Sequence, residues 1–312
     1  MTVLDIVPDL HGNTERLRRI LQALDRERDT GRHVDGRSIA FLGDYIDRGP
    51  DNLAVLSVVE GILERGEGIA LMGNHELNAL LFHTEGVPER DAGPGYLRRH
   101  SASNLRQHAT FLAEAPVGSR AASRALGLML ELPLFHERPG LRLVHACWDD
   151  AAIATVKARR PDGRLKREDL EEIAWEETDF ARAVVLLCKG PEIELPAGAW
   201  YHDTSGHRRD KSRTCWWRGV PGGLHELVVS VPDLANIPDH PVALAEVPSL
   251  YPADAPAVIF GHYQLRGEPQ VTRRALCLDY PAEAPSYRWD GEEDLEADKL
   301  VLAIEAESSP AP

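Results

Sequence analysis

The sequence predicts an α/β fold. Two observations carry it: short apolar runs that end in polar, glycine-bounded loops, and an amphipathic helical pattern after each of the first three. Repeated strand, loop and helix units build a sheet whose functional groups gather where the strands end. Asp9, His11, Asp44, Asn74, His145 and His262 all fall at such ends.

Residues 2–7 read as the first strand and run into Pro8-Asp9-Leu10-His11-Gly12-Asn13. Leu17, Ile20, Leu21 and Leu24 then predict a helix over 14–28, with Asn13 or Thr14 as its cap and Glu15 in its first turn. A second unit follows: a strand at 38–42, a loop at 43–50 and a helix over 51–64 carrying Leu53, Leu56, Val59, Ile62 and Leu63. The third strand, 68–72, ends in Gly73-Asn74-His75-Glu76, with a helical pattern over 77–82.

From 84 to 134 the pattern is helical but irregular, broken at Pro88, Gly93-Pro94-Gly95 and Pro116-Val117-Gly118. We read it as an inserted helical region that shapes a substrate groove. A strand at 141–144 leads to His145-Ala146-Cys147-Trp148-Asp149. Residues 150–255 read as a cap insertion, with a charged helical part over 164–187 and a hairpin in the polar run 202–213. The chain returns to the core at 257–260, continues through Gly261-His262-Tyr263-Gln264, and adds strands at 275–278, 286–289 and 299–304. The expected organisation is one domain over 1–304 with a frayed tail at 305–312.

Fifty acidic against 35 basic residues give a formal charge of −15, which works against loose adhesion to nucleic acid or an anionic membrane. Nucleic-acid ends rank last among substrates for that reason. Cys147, Cys188, Cys215 and Cys277 are widely spaced, so a reducing, cytoplasmic setting is expected. The first residues lack a basic stretch and no run of eighteen apolar residues occurs, which predicts neither a signal peptide nor a membrane span.

Carboxylate, imidazole and amide oxygen form a mixed donor set suited to Mn, Fe, Zn, Co or Ni. Two such ions roughly 3.5–4 Å apart activate a shared water and neutralise phosphate oxygens during in-line displacement. Asp44 is the natural bridge. Arg48 is placed to grip phosphate as a planar fork, His75 to protonate the leaving oxygen, and Asp47 to orient His75.

Asp9-Leu10-His11-Gly12, Gly43-Asp44-Tyr45-Ile46-Asp47-Arg48-Gly49, Gly73-Asn74-His75-Glu76, Val144-His145-Ala146 and Gly261-His262 stand in the order of the calcineurin-like metallophosphoesterase motifs. The sequence resembles that superfamily, and its Asp-Tyr-Ile-Asp-Arg-Gly loop looks closest to the phosphoprotein phosphatases and their bacterial relatives. Those relatives include dinucleoside tetraphosphatases and polynucleotide phosphatase modules. The resemblance implies a β-sandwich of two mixed sheets flanked by helices. It also implies two divalent ions, manganese first among them, one held by Asp9, His11 and Asp44 and the other by Asp44, Asn74, His145 and His262. Asp279, in Cys277-Leu278-Asp279, would support the site.

Three departures stand out. Pro8 and Cys147 replace glycines, and Gln264 stands where many members have a second histidine. The expected reaction is hydrolysis of a phosphomonoester, on phosphoprotein Ser/Thr or a small molecule, by a hydroxide shared between the ions. Dinucleoside polyphosphate hydrolysis is the alternative, and a degenerate binding protein is the non-enzymatic one. Elsewhere plainer readings stand: His33, His83, His100, His108, His136, His225 and His240 as solvated or locally hydrogen-bonded, and Trp216-Trp217 as packing. Cys147 reads as a small buried residue, and Arg213 and Arg218 as a charged loop that offers at most a second phosphate contact.

Overall fold

The computed structural model describes residues 3–87, 95–203, 206–243 and 247–303. Nine short strands build two sheets: β1 (Leu4–Val7), β2 (Ser38–Phe41), β3 (Gly68–Ala70), β4 (Phe135–Arg138), β5 (Leu141–Val144), β6 (Ala257–Phe260), β7 (Ala275–Cys277), β8 (Pro285–Trp289) and β9 (Leu300–Leu302). The first sheet has the order β9-β8-β1-β2-β3 and the second β7-β6-β5-β4.

Both sheets are mixed in the same way. In the first, β1, β2 and β3 are parallel, with Val7 opposite Phe41 and Phe41 opposite Ala70, while β8 and β9 run antiparallel along the edge. In the second, β6 is parallel to both β7 and β5, and β4 closes an antiparallel hairpin on β5. Each sheet therefore offers three parallel strand ends. Asp9, Asp44 and Asn74 follow one trio; His145, His262 and Asp279 follow the other.

The pleat explains the two layers of core. Leu4 and Ile6 of β1, Ala40 of β2, Leu141 and Leu143 of β5 and Ile259 of β6 meet between the sheets. Val7 and Phe41 point the other way, against Leu17, Ile20 and Leu21 of α1 (Thr14–Ala23) and Val55 and Val59 of α2 (Asn52–Glu64). Asp5 also faces outward and is fully buried. Arg26 and Arg37 neutralise it through contacts of 2.8 Å each.

Two helix boundaries differ from expectation. α1 ends at Ala23 and not at Arg28, because Leu24 caps it and Asp25 turns left-handed at φ 58°. α3 (Asn74–His83) starts three residues before the expected Leu77, since the Glu76 carboxylate accepts from Gly73 N and closes the first turn around it. Asn74 and His75 thereby lie on a rigid helical turn.

The segment 84–134 contains a small hairpin pairing Glu85–Gly86 with Gly95–Tyr96, then helices Ala102–Gln107, Ala109–Glu114 and Arg120–Leu130. Its breaks at Pro88 and Gly93-Pro94 lie outside the described residues. The expected cap is divided. Residues 150–189 form helices Asp150–Arg159, Leu170–Trp175 and Asp179–Lys189, and Ile153, Val156, Ile173, Val184 and Leu187 belong to the main core. A separate small core of Leu195, Tyr201, Leu224, Leu227, Val228 and Ile237 sits within 195–237. Strands 192–194, 211–214 and 228–229 form its sheet, and the hairpin of 201–202 with 208–209 stands beside them. The tail at 305–312 lies outside the described residues.

Candidate metal centre and catalytic site

The loops that follow the parallel strands are strained. His11, Asp44, Asp47, Arg48, His262 and Gln264 all have left-handed backbones, six of the ten non-glycine cases among the described residues. Each costs on the order of 1–3 kcal/mol and persists only where the surroundings over-determine it. The surroundings are explicit here. Glu76 accepts from the Asp44 and Tyr45 amides at 2.8 Å each, and Asn52 Oδ1 accepts from Asp47 N at 2.6 Å. Glu114 in turn accepts from Asn52 Nδ2 at 2.6 Å. The Asp44 carbonyl ties this loop to the first by accepting from His11 N at 2.8 Å.

Asp44 sits at the middle. Its Oδ1 lies 3.4 Å from His145 Nε2, and its Oδ2 lies 3.8 Å from both His11 Nε2 and His75 Nε2. Asn74 Oδ1 stands 3.1 Å from His145 Nε2 and 2.7 Å from His262 Nδ1. His145 Nδ1 donates to the Leu42 carbonyl at 2.8 Å, which leaves Nε2 as the free lone pair toward Asp44. Asp9 Oδ2 accepts from His262 N at 3.0 Å. Donor atoms of His11, Asp44 and His75, and of Asp44, His145 and His262, lie within 4.8 Å of one another in two groups that share Asp44.

The residues fit metal ions by a test independent of motif. Asp9 Oδ1 and His11 Nε2 are buried polar atoms with no hydrogen-bond partner. An orphaned buried acceptor costs about 1–3 kcal/mol, and a coordinated cation removes that cost. The glycines leave the space. A Cβ at Gly261 would collide with Asp9 Oδ1, and one at Gly73 with Asp44 Oδ1.

The electrostatics match. Burial, then the Asp279 and Asp44 charges, push Asp9 up, as expected for carboxylates crowded together without a cation. Burial also opposes the charge on Asp44, yet the surrounding imidazoles, His145 first, hold it well below the usual range. Burial keeps His11, His145 and His262 low and neutral, which is the ligating form. Among these imidazoles His75 goes the opposite way. Burial disfavours its charge, but Asp44 and the bond to Asp47 outweigh that and raise it.

His75 Nδ1 lies 2.6 Å from Asp47 Oδ2, so its Nε2 faces the site. The exposed Arg48 is held at the mouth. With its amide oxygen turned to the cation, Gln264 accepts from Arg48 Nη2 and, at 3.0 Å, from Nη1. Asp279 reaches the site indirectly, its Oδ2 accepting from Gln264 N at 2.7 Å. Arg213 Nη1 donates to the His262 carbonyl at 3.4 Å and so stands at the rim. Arg218 instead donates to Gln270 Oε1 at 3.0 Å. Trp216 and Trp217 are buried, with Trp216 Nε1 donating to Ala146 O at 3.0 Å.

Asn52 and Glu114 belong to the site's support and were not singled out from the sequence, and His108, expected to be solvated or locally hydrogen-bonded, instead belongs to that support as well. His108 is buried, and its Nδ1 lies 2.8 Å from Asp47 Oδ1, a partner 61 residues away. No local spacing signals such a contact.

A family model described as calcineurin-like phosphoesterase matches residues 3–263. A bis(5'-nucleosyl)-tetraphosphatase PrpE [asymmetrical] of Geobacillus sp. (strain WCH70) is 38% identical over 74 residues, 23% of this chain and 30% of that protein. The chain thus spans less than a third of the first curated relatives' length. A symmetrical bis(5'-nucleosyl)-tetraphosphatase of Nitrosomonas europaea is 22% identical over 77% of this chain and 78% of its own. Among solved structures, a protein serine/threonine phosphatase from Saccharomyces cerevisiae aligns with a TM-score of 0.48 at 14% identity, covering 99% of this chain and 81% of that one.

Proposed function

This chain belongs to the calcineurin-like phosphoesterase family, and on that premise we propose that it hydrolyses phosphoester bonds, with phosphomonoesters as its first substrate class. The carrying observation is the pair His75 and Asp47, set beside Asp44 with the imidazole nitrogen left pointing into the donor cluster.

Asp9, His11 and Asp44 would hold one divalent ion, and Asp44, Asn74, His145 and His262 the other, with manganese the first candidate and Fe, Zn, Ni or Co the alternatives. Bound there, the ions supply Lewis acidity toward the phosphate and a water of lowered pKa. The chain's own residues do the rest. Arg48 grips non-bridging phosphate oxygens, steadied by Gln264. His75, charged through Asp44 and Asp47, gives the proton on Nε2 to the leaving oxygen as the bond breaks. Asp47 keeps that proton on the correct nitrogen by accepting from Nδ1.

Dinucleoside tetraphosphates form the second reading, supported by the two relatives named for that activity. Arg213 at the rim offers a second cation to a longer phosphate chain. All the ligands and the His75–Asp47 pair are present, which argues against a degenerate binding protein. Four buried free cysteines support a reducing compartment, the cytoplasm. Among the described residues no helix is long and apolar enough to cross a membrane.

The deciding experiment reconstitutes metal-stripped protein with Mn, Ni, Co, Zn or Mg and measures turnover of a phosphomonoester, a phosphopeptide and a dinucleoside tetraphosphate, with His75→Ala alongside. Turnover that needs a transition metal and His75 is the expected result. Two bound ions without turnover of any substrate would overturn the reading.

A further inference from the structure

Asp47 carries more than the imidazole of His75. Its two carboxylate oxygens are divided between two histidines, Oδ2 with His75 Nδ1 at 2.6 Å and Oδ1 with His108 Nδ1 at 2.8 Å. The carboxylate is buried, and so are both rings. We propose that His108 is a positioning residue for the phosphoester reaction: by occupying Asp47 Oδ1 it fixes the carboxylate plane, and through it the direction in which His75 Nε2 points.

The argument is geometric. An aspartate held by one hydrogen bond keeps a broad, soft terminal torsion, so Oδ2 would swing relative to His75. A donor on the second oxygen removes that freedom. His108 itself cannot turn easily. Its ring packs between Phe82 and Phe111, with centroids 5.0 and 4.9 Å away, and its Nε2 lies 3.1 Å from His83 Nε2.

The contact with His83 also requires a proton. With Nδ1–H donated to Asp47, one proton shared between His108 Nε2 and His83 Nε2 satisfies both nitrogens. Burial, then the neighbouring His108, hold His83 down at about 4, so it stays neutral near pH 7. The segment between α3 and β4 thus reaches behind the proton donor, from the junction of helices 102–107 and 109–114.

This inference rests on the phosphoesterase reading, and its test separates the two. A misdirected proton donor harms substrates with basic leaving groups far more than those whose leaving oxygen needs no proton. The metal-loaded protein is assayed with phenyl phosphate and 2,4-dinitrophenyl phosphate as wild type, His108→Asn and His108→Gln. The Asn amide nitrogen occupies the place of Nδ1 and keeps the bond to Asp47; the Gln amide reaches the place of Nε2 and loses it. Both variants stay polar, so folding is not at issue through a buried apolar mismatch, and metal content normalises each rate.

His108→Gln is expected to lower kcat on phenyl phosphate about 10-fold or more with KM unchanged, and on 2,4-dinitrophenyl phosphate by less than about 3-fold. His108→Asn should retain most of the wild-type rate on both. Equal losses on the two substrates, or equal behaviour of Asn and Gln, would overturn the positioning role. Absence of turnover by the wild type on both substrates would overturn the phosphoesterase reading itself, and the positioning role with it.

Discussion

Asp47 Oδ2 stands 2.6 Å from His75 Nδ1 in a pocket where both side chains are shut off from solvent. A carboxylate is the only side chain of this size that accepts on both oxygens, and both are used. Asp47→Asn would place an amide N–H against one of the two ring donors. Either His75 takes the wrong tautomer or His108 does. The expected outcome is a kcat on phenyl phosphate lower by roughly 10²–10⁴-fold with KM nearly unchanged, read by steady-state kinetics on metal-loaded protein.

Gly73 has an ordinary φ of −92°, so any cost of a side chain there is steric and not torsional. Its Cβ would meet Asp44 Oδ1, the Asp44 amide and, at 2.8 Å, Glu76 Oε2. Gly73→Ala should therefore cost about 1–3 kcal/mol and displace the central carboxylate. Gly127, inside helix Arg120–Leu130, has open space around its Cβ position. Gly127→Ala should stabilise by about 0.4–1 kcal/mol. Thermal unfolding of both variants checks the pair, and metal stoichiometry should fall only for Gly73→Ala.

With its amide oxygen turned to the cation, Gln264 holds Arg48 through both guanidinium Nη atoms. Removing the amide frees the guanidinium without touching the proton donor. Gln264→Ala should raise KM for a phosphomonoester with little change in kcat, whereas Arg48→Ala should lower kcat as well. A kcat loss in Gln264→Ala equal to that of Arg48→Ala would contradict the assignment.

Glu76 supplies the pH dependence. Burial, then the charge on Asp44, raise it from 4.5 to about 7. An acid whose folded pKa lies above its unfolded one binds protons more tightly when folded, so its contribution to stability falls as pH rises from 4.5 to about 7 and is level beyond. That window is worth on the order of 3 kcal/mol in the metal-free protein. Denaturant unfolding of the metal-stripped chain at pH 4.5 and 7.5 should show the fall, and Glu76→Gln should make it smaller. An equal slope in both proteins would remove Glu76 as the cause.

The strand ends were legible because apolar runs and the polar residues after them are local features. Asp9, Asp44, Asn74, His145 and His262 could be placed from chain order alone, and the structure gathers them around one carboxylate. The supports were not legible. Glu114 reaches Asn52 across 62 residues and His108 reaches Asp47 across 61, one at the end of the short helix Ala109–Glu114 and the other at the turn before it, in a stretch whose sequence shows no periodic signal. Helix Asp150–Arg159 escaped for a related reason. Its buried residues, Ala152, Ile153 and Val156, leave a face too small to stand out from its charged neighbours.

The donor atoms come from both sheets, Asp9, His11, Asp44 and Asn74 from the first and His145 and His262 from the second. An ion that binds them is therefore a rivet between two halves joined otherwise by apolar contact and a few hydrogen bonds such as His145 Nδ1 to Leu42 O. Ligand at a thousand times its dissociation constant adds about 4 kcal/mol to a fold that binds it only when intact. Metal supply would then govern how long the chain survives among proteases as well as how fast it turns over, and starvation for the ion would remove the protein along with its activity.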